Sequence, residues 1–254
     1  MPRMNTAAGE LFYTINEGPR DGPNLLLLHG AGGSRLHWPP QLRRMAEATV
    51  YTLDLPGHGR SSGNGCSTIE CYARAVVAFI EAADADRAVV VGHSMGGAIA
   101  QTLALEHSDL VSALGLIATG ARLRVAPAIL ESIRDDFSHA VALITRHAWG
   151  PEASESLLEL GREALKDTGP DVLLGDFLAC DRFDVMERLG EIEIPVLAVC
   201  GTADELTPVK YARFLAQHIP DARLLTVEGA GHMVMLERPR EVGEAVREFV
   251  MVDR

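Results

Sequence analysis

The run Gly92-His93-Ser94-Met95-Gly96-Gly97 sets a serine between the apolar stretch Ala88-Val89-Val90-Val91 and a helical pattern over residues 98–105. A buried strand, a sharp turn and a helix form the setting in which Gly-x-Ser-x-Gly holds a strained serine, with small flanking residues letting strand and helix approach. Ser94 then projects its hydroxyl at the top of a sheet. The Met95 amide, at the helix start, faces the place where an oxyanion would develop. The motif alone also arises by chance in a chain with 24 glycines, so the reading depends on partners elsewhere.

A nucleophilic serine needs a base, and the base needs a carboxylate to fix its tautomer and stabilise its charged form. In a strand-turn-helix architecture of this kind the acid and then the base follow the serine, each at the C-terminal end of a strand. Residues 195–201, Pro-Val-Leu-Ala-Val-Cys-Gly, read as a buried strand, and the loop that leaves it carries Asp204. The next strand, 222–227, is followed by Glu228-Gly229-Ala230-Gly231-His232. Asp204 is therefore the expected acid and His232 the expected base. Glu205 is the neighbour to separate from Asp204, and Asp181 and Asp184 are farther alternatives. The loop after the earlier strand 113–117, Ala118-Thr119-Gly120-Ala121-Arg122, carries no carboxylate.

The chain has nine histidines. His29 closes an earlier strand, where it is expected to shape a loop. His58 lies in a glycine turn, and His93 is expected to point across the turn from the nucleophile. His107 and His218 fall near helix C-termini, where a cation complements the dipole. His37, His139 and His147 read as surface residues. Only His232 sits in a glycine-rich loop after the last strand signal.

The elements that must position these groups alternate. Strands are predicted at 9–15, 24–29, 49–54, 88–93, 111–117, 195–201 and 222–227. Helices are predicted at 36–46, 68–83, 95–107, 208–218 and 239–250. This is an α/β chain with a doubly wound, mostly parallel sheet and a site at its carboxyl edge. Residues 121–190 depart from the alternation: Ile129, Ile133, Phe137, Val141 and Ile144 recur at spacings of three or four, and helical segments follow near 157–165 and 172–180. They read as a helical cap inserted into a core of residues 1–120 and 191–254. Its apolar stripe either faces substrate or packs on neighbouring helices. Phe137, Trp149 and Phe177, with Gly32 and Met233 beside the expected reactive groups, are the candidate pocket residues.

At 254 residues and 47% hydrophobic, the chain can bury a large core as one enzyme domain. A net charge of −12 and the absence of a basic stripe argue against nucleic acid as a partner. The longest apolar runs, such as residues 25–28, are too short to cross a bilayer, and the N-terminal residues lack a signal peptide's apolar region. A cytoplasmic location without stable membrane association is expected, and a homo-oligomer is left open. Cys66, Cys71, Cys180 and Cys200 have no zinc-like spacing and read as free thiols.

Five ordered motifs resemble those of the α/β-hydrolase-fold serine hydrolases across nearly the whole chain. They are Leu28-His29-Gly30-Ala31-Gly32-Gly33, the stretch from Asp54 to Ser61, the turn at Ser94, Gly201-Thr202-Ala203-Asp204, and Gly229-Ala230-Gly231-His232 with Glu237 and Pro239 downstream. The resemblance implies a second oxyanion donor, the backbone amide of Ala31, with Gly32 as the alternative. It also implies that Asp54 and Ser61 organise a turn, and that no metal or organic cofactor is needed. The expected substrate is a small-molecule ester with small to medium apolar parts, cleaved by a carboxylesterase. Carbon-carbon bond hydrolases, enol-lactonases, thioesterases and perhydrolases use the same triad, although the first of these usually carry Asn and an aromatic residue where this chain has His93 and Met233. A ligand receptor with slow turnover on the same fold is the reading from another class. Haloalkane dehalogenases and epoxide hydrolases need an aspartate in place of Ser94.

Overall fold

Strand β5 (Ala88–His93) is buried at all six positions and pairs in parallel with β3 (Asn24–Leu28) on one side and β6 (Val111–Ile117) on the other. A near-continuous apolar run is what a parallel strand covered on both faces requires. The computed structural model describes residues 2–6, 9–85 and 87–252, so the ends of the expected core at 1 and 253–254 lie outside the described residues. Parallel pairing continues from β3 to β4 (Thr49–Leu53), from β6 to β7 (Val196–Gly201) and from β7 to β8 (Ala222–Val227). An antiparallel edge is added by β2 (Gly9–Asn16) on β4 and β1 (Arg3–Thr6) on β2. The order is β1-β2-β4-β3-β5-β6-β7-β8, the doubly wound, mostly parallel sheet that the alternation predicts.

Side chains alternate across the sheet with period two. Leu26, Leu28 and Val90 enter one apolar layer with residues of α2 (Ile69–Ala83), α3 (Met95–Glu106) and α8 (Val209–His218). Leu25, Leu27, Val89 and Val91 enter the other, with Leu42 of α1 (Pro40–Arg43), Val234 and Met235 of the one-turn α9 (Val234–Glu237), and Val246 and Phe249 of α10 (Pro239–Val252). Each fully buried large aliphatic side chain contributes roughly 1.5–3 kcal/mol. The layers therefore hold rigid the strand ends that carry the site. Among the described residues no helix is long and apolar enough to cross a membrane.

Several local readings change. The helix expected over 36–46 is instead a 3-10 turn at Arg35–His37 followed by the one-turn α1. Pro40 excludes helical geometry from the residue before it, and Trp38 before Pro39 is extended at φ −97°, ψ 129°. Strand β1 was not expected, because Met4 is the one apolar residue of its Arg-Met-Asn-Thr and none of the four is buried.

Between β6 and β7 the chain forms four helices, α4 (Pro127–Asp135), α5 (Phe137–Ala148), α6 (Glu155–Thr168) and α7 (Pro170–Arg182). The apolar stripe from Ile129 to Ile144 spans two of them. Asp136 leaves helical geometry at φ −148°, ψ 83°, and its side chain caps α5 by accepting from the His139 amide. Ile133, Val141 and Ile144 pack with Leu165 and Leu173 of the neighbouring helices, while Ile129 and Ile144 also reach a cavity. The stripe thus packs on neighbouring helices and, at Ile129 and Ile144, also lines the cavity.

The four cysteines are not all free. Cys66 and Cys71 form a disulfide, because the turn into α2 brings their Cα atoms to 5.9 Å. Cys180 and Cys200 are buried thiols.

Candidate active site

Ser94 joins β5 to α3 at φ 51°, ψ −115°, a strained conformation for a residue with a side chain. The surroundings hold it there. Its amide donates to the Ile117 carbonyl at 2.9 Å, and its carbonyl accepts from the amides of Gly97 (2.9 Å) and Ala98 (3.2 Å) and from Thr119 Oγ1 (2.8 Å). A Cβ on Gly96 would lie 2.2 Å from the Leu28 carbonyl oxygen, so glycine there permits the close approach of α3 to β3.

Asp204 leaves β7 and His232 follows β8, and the fold brings them together: His232 Nδ1 lies 2.9 Å from Asp204 Oδ2. The other carboxylate oxygen accepts from the amides of Leu206 (2.9 Å) and Thr207 (2.8 Å). Thr207 Oγ1 donates to Asp204 Oδ2 at 2.7 Å and lies 3.1 Å from His232 Nδ1. Burial by itself would raise the Asp204 pKa. The charge and hydrogen bond of His232, together with the Thr207 donors, outweigh it and hold the carboxyl at about 2. A carboxylate at Nδ1 keeps the proton on that nitrogen and leaves Nε2 free to act as a base.

Glu205 is not in this pair. It turns outward to His147 Nδ1 at 2.5 Å, and its side chain is 65% exposed. Asp181 caps the Val125 amide and Asp184 pairs with Arg122. Thr207, which sequence reasoning missed, had a local signal: Asp-x-x-Thr is a side-chain-to-backbone turn in which the carboxylate collects the next amides.

His93 is buried beside the pair, with its ring centroid 4.8 Å from that of His232. Its Nε2–H donates to the His232 carbonyl at 3.0 Å. Burial, with the neighbouring His232, pushes its pKa well below the usual value, so it serves as a neutral strut for the loop that carries His232. Glu237 steadies the same loop by accepting from the amides of Gly231 (3.0 Å) and Gly150 (3.1 Å). His37 and His147 are not plain surface residues, since both line the cavity above Ser94. Burial lowers His37 to about 4, assisted by His58.

The loop after β3 makes a turn in which the Gly33 amide donates to the Gly30 carbonyl at 3.1 Å. His29 shapes it. The Leu55 amide donates to His29 Nε2 at 3.0 Å, so Nδ1 carries the proton and donates to the Gly30 carbonyl at 2.8 Å. Asp54 accepts from the Arg35 and Arg60 amides and from Arg35 Nη1, and Ser61 Oγ donates to its carbonyl, a turn-organising arrangement. Ala31 faces the cavity with Ser94. The Gly32 amide is directed instead to Asp176 Oδ2 at 2.8 Å, which removes Gly32 from the oxyanion alternatives. Asp176, in the middle of α7, carried no signal in the sequence.

Ser94 and His232 open into one cavity of about 380 Å³. Trp149, Phe177 and Met233 line it, as do Leu123, Val125 and Ile129. Two of the expected pocket residues do not. Phe137 opens α5 and packs half-buried against the cluster around Ile133 and Val141. Gly32 lies beneath Leu165 and Leu173, where even a Cβ would sit 2.6 and 2.7 Å from their methyl carbons.

The sequence pattern of the Alpha/beta hydrolase family matches residues 25–245. A pimeloyl-[acyl-carrier protein] methyl ester esterase from Vibrio atlanticus is 32% identical over 78% of this chain and 83% of its own length. Among solved structures, a thermophilic esterase superposes with a TM-score of 0.88 at 34% identity, covering 98% of this chain and 96% of that one. The enol-lactonase from Burkholderia xenovorans LB400 superposes with a TM-score of 0.90 at 27% identity, covering 98% and 99%.

Proposed function

Because the chain belongs to the alpha/beta hydrolase family, we propose that this hydrolase is a serine carboxylesterase that cleaves small to medium apolar esters through an acyl-enzyme at Ser94. The observation that carries the reading is the buried Asp204–His232 pair sharing one cavity with a strained serine. His232 Nε2 takes the Ser94 proton as Oγ attacks the ester carbonyl, and the imidazolium that forms faces the ionised Asp204. The backbone amides of Met95 and Ala31 stabilise the tetrahedral oxyanion. His232 then protonates the leaving alcohol. In the second half the same nitrogen activates water, which attacks the acyl carbonyl and releases acid and free Ser94.

The apolar walls from Leu123, Ile129, Trp149 and Phe177 favour an alkyl or aryl acyl group over a charged one. A lactone is a cyclic ester, and the likeness to an enol-lactonase supports lactones as the second reading on the same machinery. A panel of p-nitrophenyl esters of increasing acyl length, run beside simple lactones, tests both. Sustained multiple turnover is expected, fastest on apolar esters. Release that stalls after about one equivalent would instead mark a receptor that turns over its ligand slowly, and turnover confined to lactones would favour the second reading.

A further inference from the structure

We propose that Asp176 and Thr168, carried by the inserted helices, are positioning residues that clamp Gly32 and so hold the Ala31 amide where it stabilises the oxyanion. The inference rests on the acyl-enzyme reading above and adds a role for helices that do not carry the triad.

Both sides of Gly32 are held from the same direction. Asp176 Oδ2 on α7 accepts the Gly32 N–H at 2.8 Å. Thr168 Oγ1, the last residue of α6, lies 3.1 Å from the Gly32 carbonyl and shares its hydrogen with the Ala164 carbonyl at 3.0 Å. Leu165 and Leu173 of the same helices fill the space that a Cβ on Gly32 would need. Three observations, two polar and one steric, thus converge on one residue of the loop.

The turn explains why this residue matters. Gly30 to Gly33 closes with an i to i+3 hydrogen bond, and Gly32 has φ +64° while Ala31 keeps a negative φ. That is a type II turn, which differs from type I by a half-rotation of the central peptide, here the Ala31–Gly32 unit. The N–H of that peptide is the one that Asp176 takes. Without the clamp the peptide is free to rotate, which exchanges the positions of the Ala31 carbonyl and the Gly32 N–H and releases the backbone of Ala31 beside Ser94.

Asp176 is equipped to act as a strong acceptor. It is fully buried, and its carboxylate also accepts from Tyr72 OH at 2.5 Å and His58 Nε2 at 2.8 Å. His58 Nδ1 lies 3.0 Å from the Pro56 carbonyl, which can only accept, so both ring nitrogens carry hydrogen and the ring is a cation. Burial opposes that charge, but Asp176 beside it raises the His58 pKa above the usual value. Tyr72 OH in turn accepts from the Cys66 amide at 3.0 Å. Buried ion pairs add little to stability compared with apolar packing. An ionised acceptor at the Gly32 amide is what this one supplies, since charge-assisted hydrogen bonds are shorter and stronger than neutral ones.

The test uses the full chain with Asp176→Asn and Thr168→Val, assayed on a p-nitrophenyl ester and with a trifluoromethyl ketone that forms an oxyanionic adduct with the serine. Asn places an NH₂ or a weaker neutral oxygen at the Gly32 amide. Asp176→Asn should lower kcat about 10- to 100-fold with KM within about threefold, because an oxyanion donor is worth up to about 10³ in kcat. Affinity for the ketone should fall by the same factor as kcat/KM. Thr168→Val leaves the Asp176 network intact and should shift both quantities the same way by about two- to fivefold; it decides the question if Asp176→Asn does not fold. A folded variant with unchanged kcat, or a loss of kcat with ketone affinity retained, would overturn the clamp alone. Failure of the ketone to inhibit the unaltered chain would overturn the acyl-enzyme reading and the clamp with it.

Discussion

His232 Nδ1 lies 2.9 Å from Asp204 Oδ2 across 28 residues of sequence, while Glu205, next along the chain, turns outward to His147. One backbone step therefore separates a carboxylate that is buried and receives four hydrogen bonds from one that is mostly exposed. The difference arises in the loop leaving β7, where the Leu206 and Thr207 amides gather around the Asp204 side chain.

The first prediction separates the two carboxylates. Asp204→Asn removes the acceptor that fixes the His232 tautomer and should lower kcat by about 10³- to 10⁴-fold. Glu205→Gln should stay within about tenfold, because its partner His147 is at the cavity rim. Steady-state kinetics on a p-nitrophenyl ester reads both, and the reverse ranking would move the acid by one residue.

Acid stability follows from the same pair. Asp204 falls from an ordinary value near 3.8 to about 2, so its folded-state pKa is depressed. Its contribution is present above about pH 4 and is lost as the pH falls toward 2. By linkage the contribution is about 2 kcal/mol. Denaturant titrations at pH 7 and at pH 3 should show a smaller loss on acidification for Asp204→Asn than for the unaltered chain. Equal losses would show that the carboxylate is not held ionised by its partners.

Acyl selectivity should reside in Trp149 and Phe177 rather than in Phe137. Substituting either of the first two by Ala should change the ratio of kcat/KM between short and long acyl esters by about 1–3 kcal/mol. Phe137→Ala should leave the ratio unchanged and lower stability by about 1–2 kcal/mol, less than for a fully buried aromatic. A shift of acyl preference in Phe137→Ala, with none in the other two, would place the acyl group against a different wall.

The sheet, and the loops that bring Asp204 and His232 together on the cavity of Ser94, were legible in the sequence because they depend on local patterns: apolar runs such as Ala88 to Val91, glycines at the turn around Ser94, and loops that follow strand signals. The broken helix after Ser34 could have been read from Pro39-Pro40, and the break at Asp136 from its capping position before Phe137. Asp176 could not. Its partners Tyr72, His58 and Gly32 lie 104, 118 and 144 residues away, and inside α7 it reads as an ordinary polar helix position. The Cys66–Cys71 bridge was missed because compartment, not geometry, guided the expectation. The pocket aromatics divided for a similar reason: helical periodicity places Phe137 on the apolar face of α5 but does not say which neighbour that face meets.

The central claim is that Ser94 becomes acylated, and active-site labelling tests it most directly. A fluorophosphonate should modify the unaltered chain at one equivalent, with peptide mapping placing the adduct on Ser94. Ser94→Ala should abolish labelling and lower ester hydrolysis by about 10⁴- to 10⁶-fold. Labelling that survives the substitution, or an adduct that maps to another residue, would contradict the account.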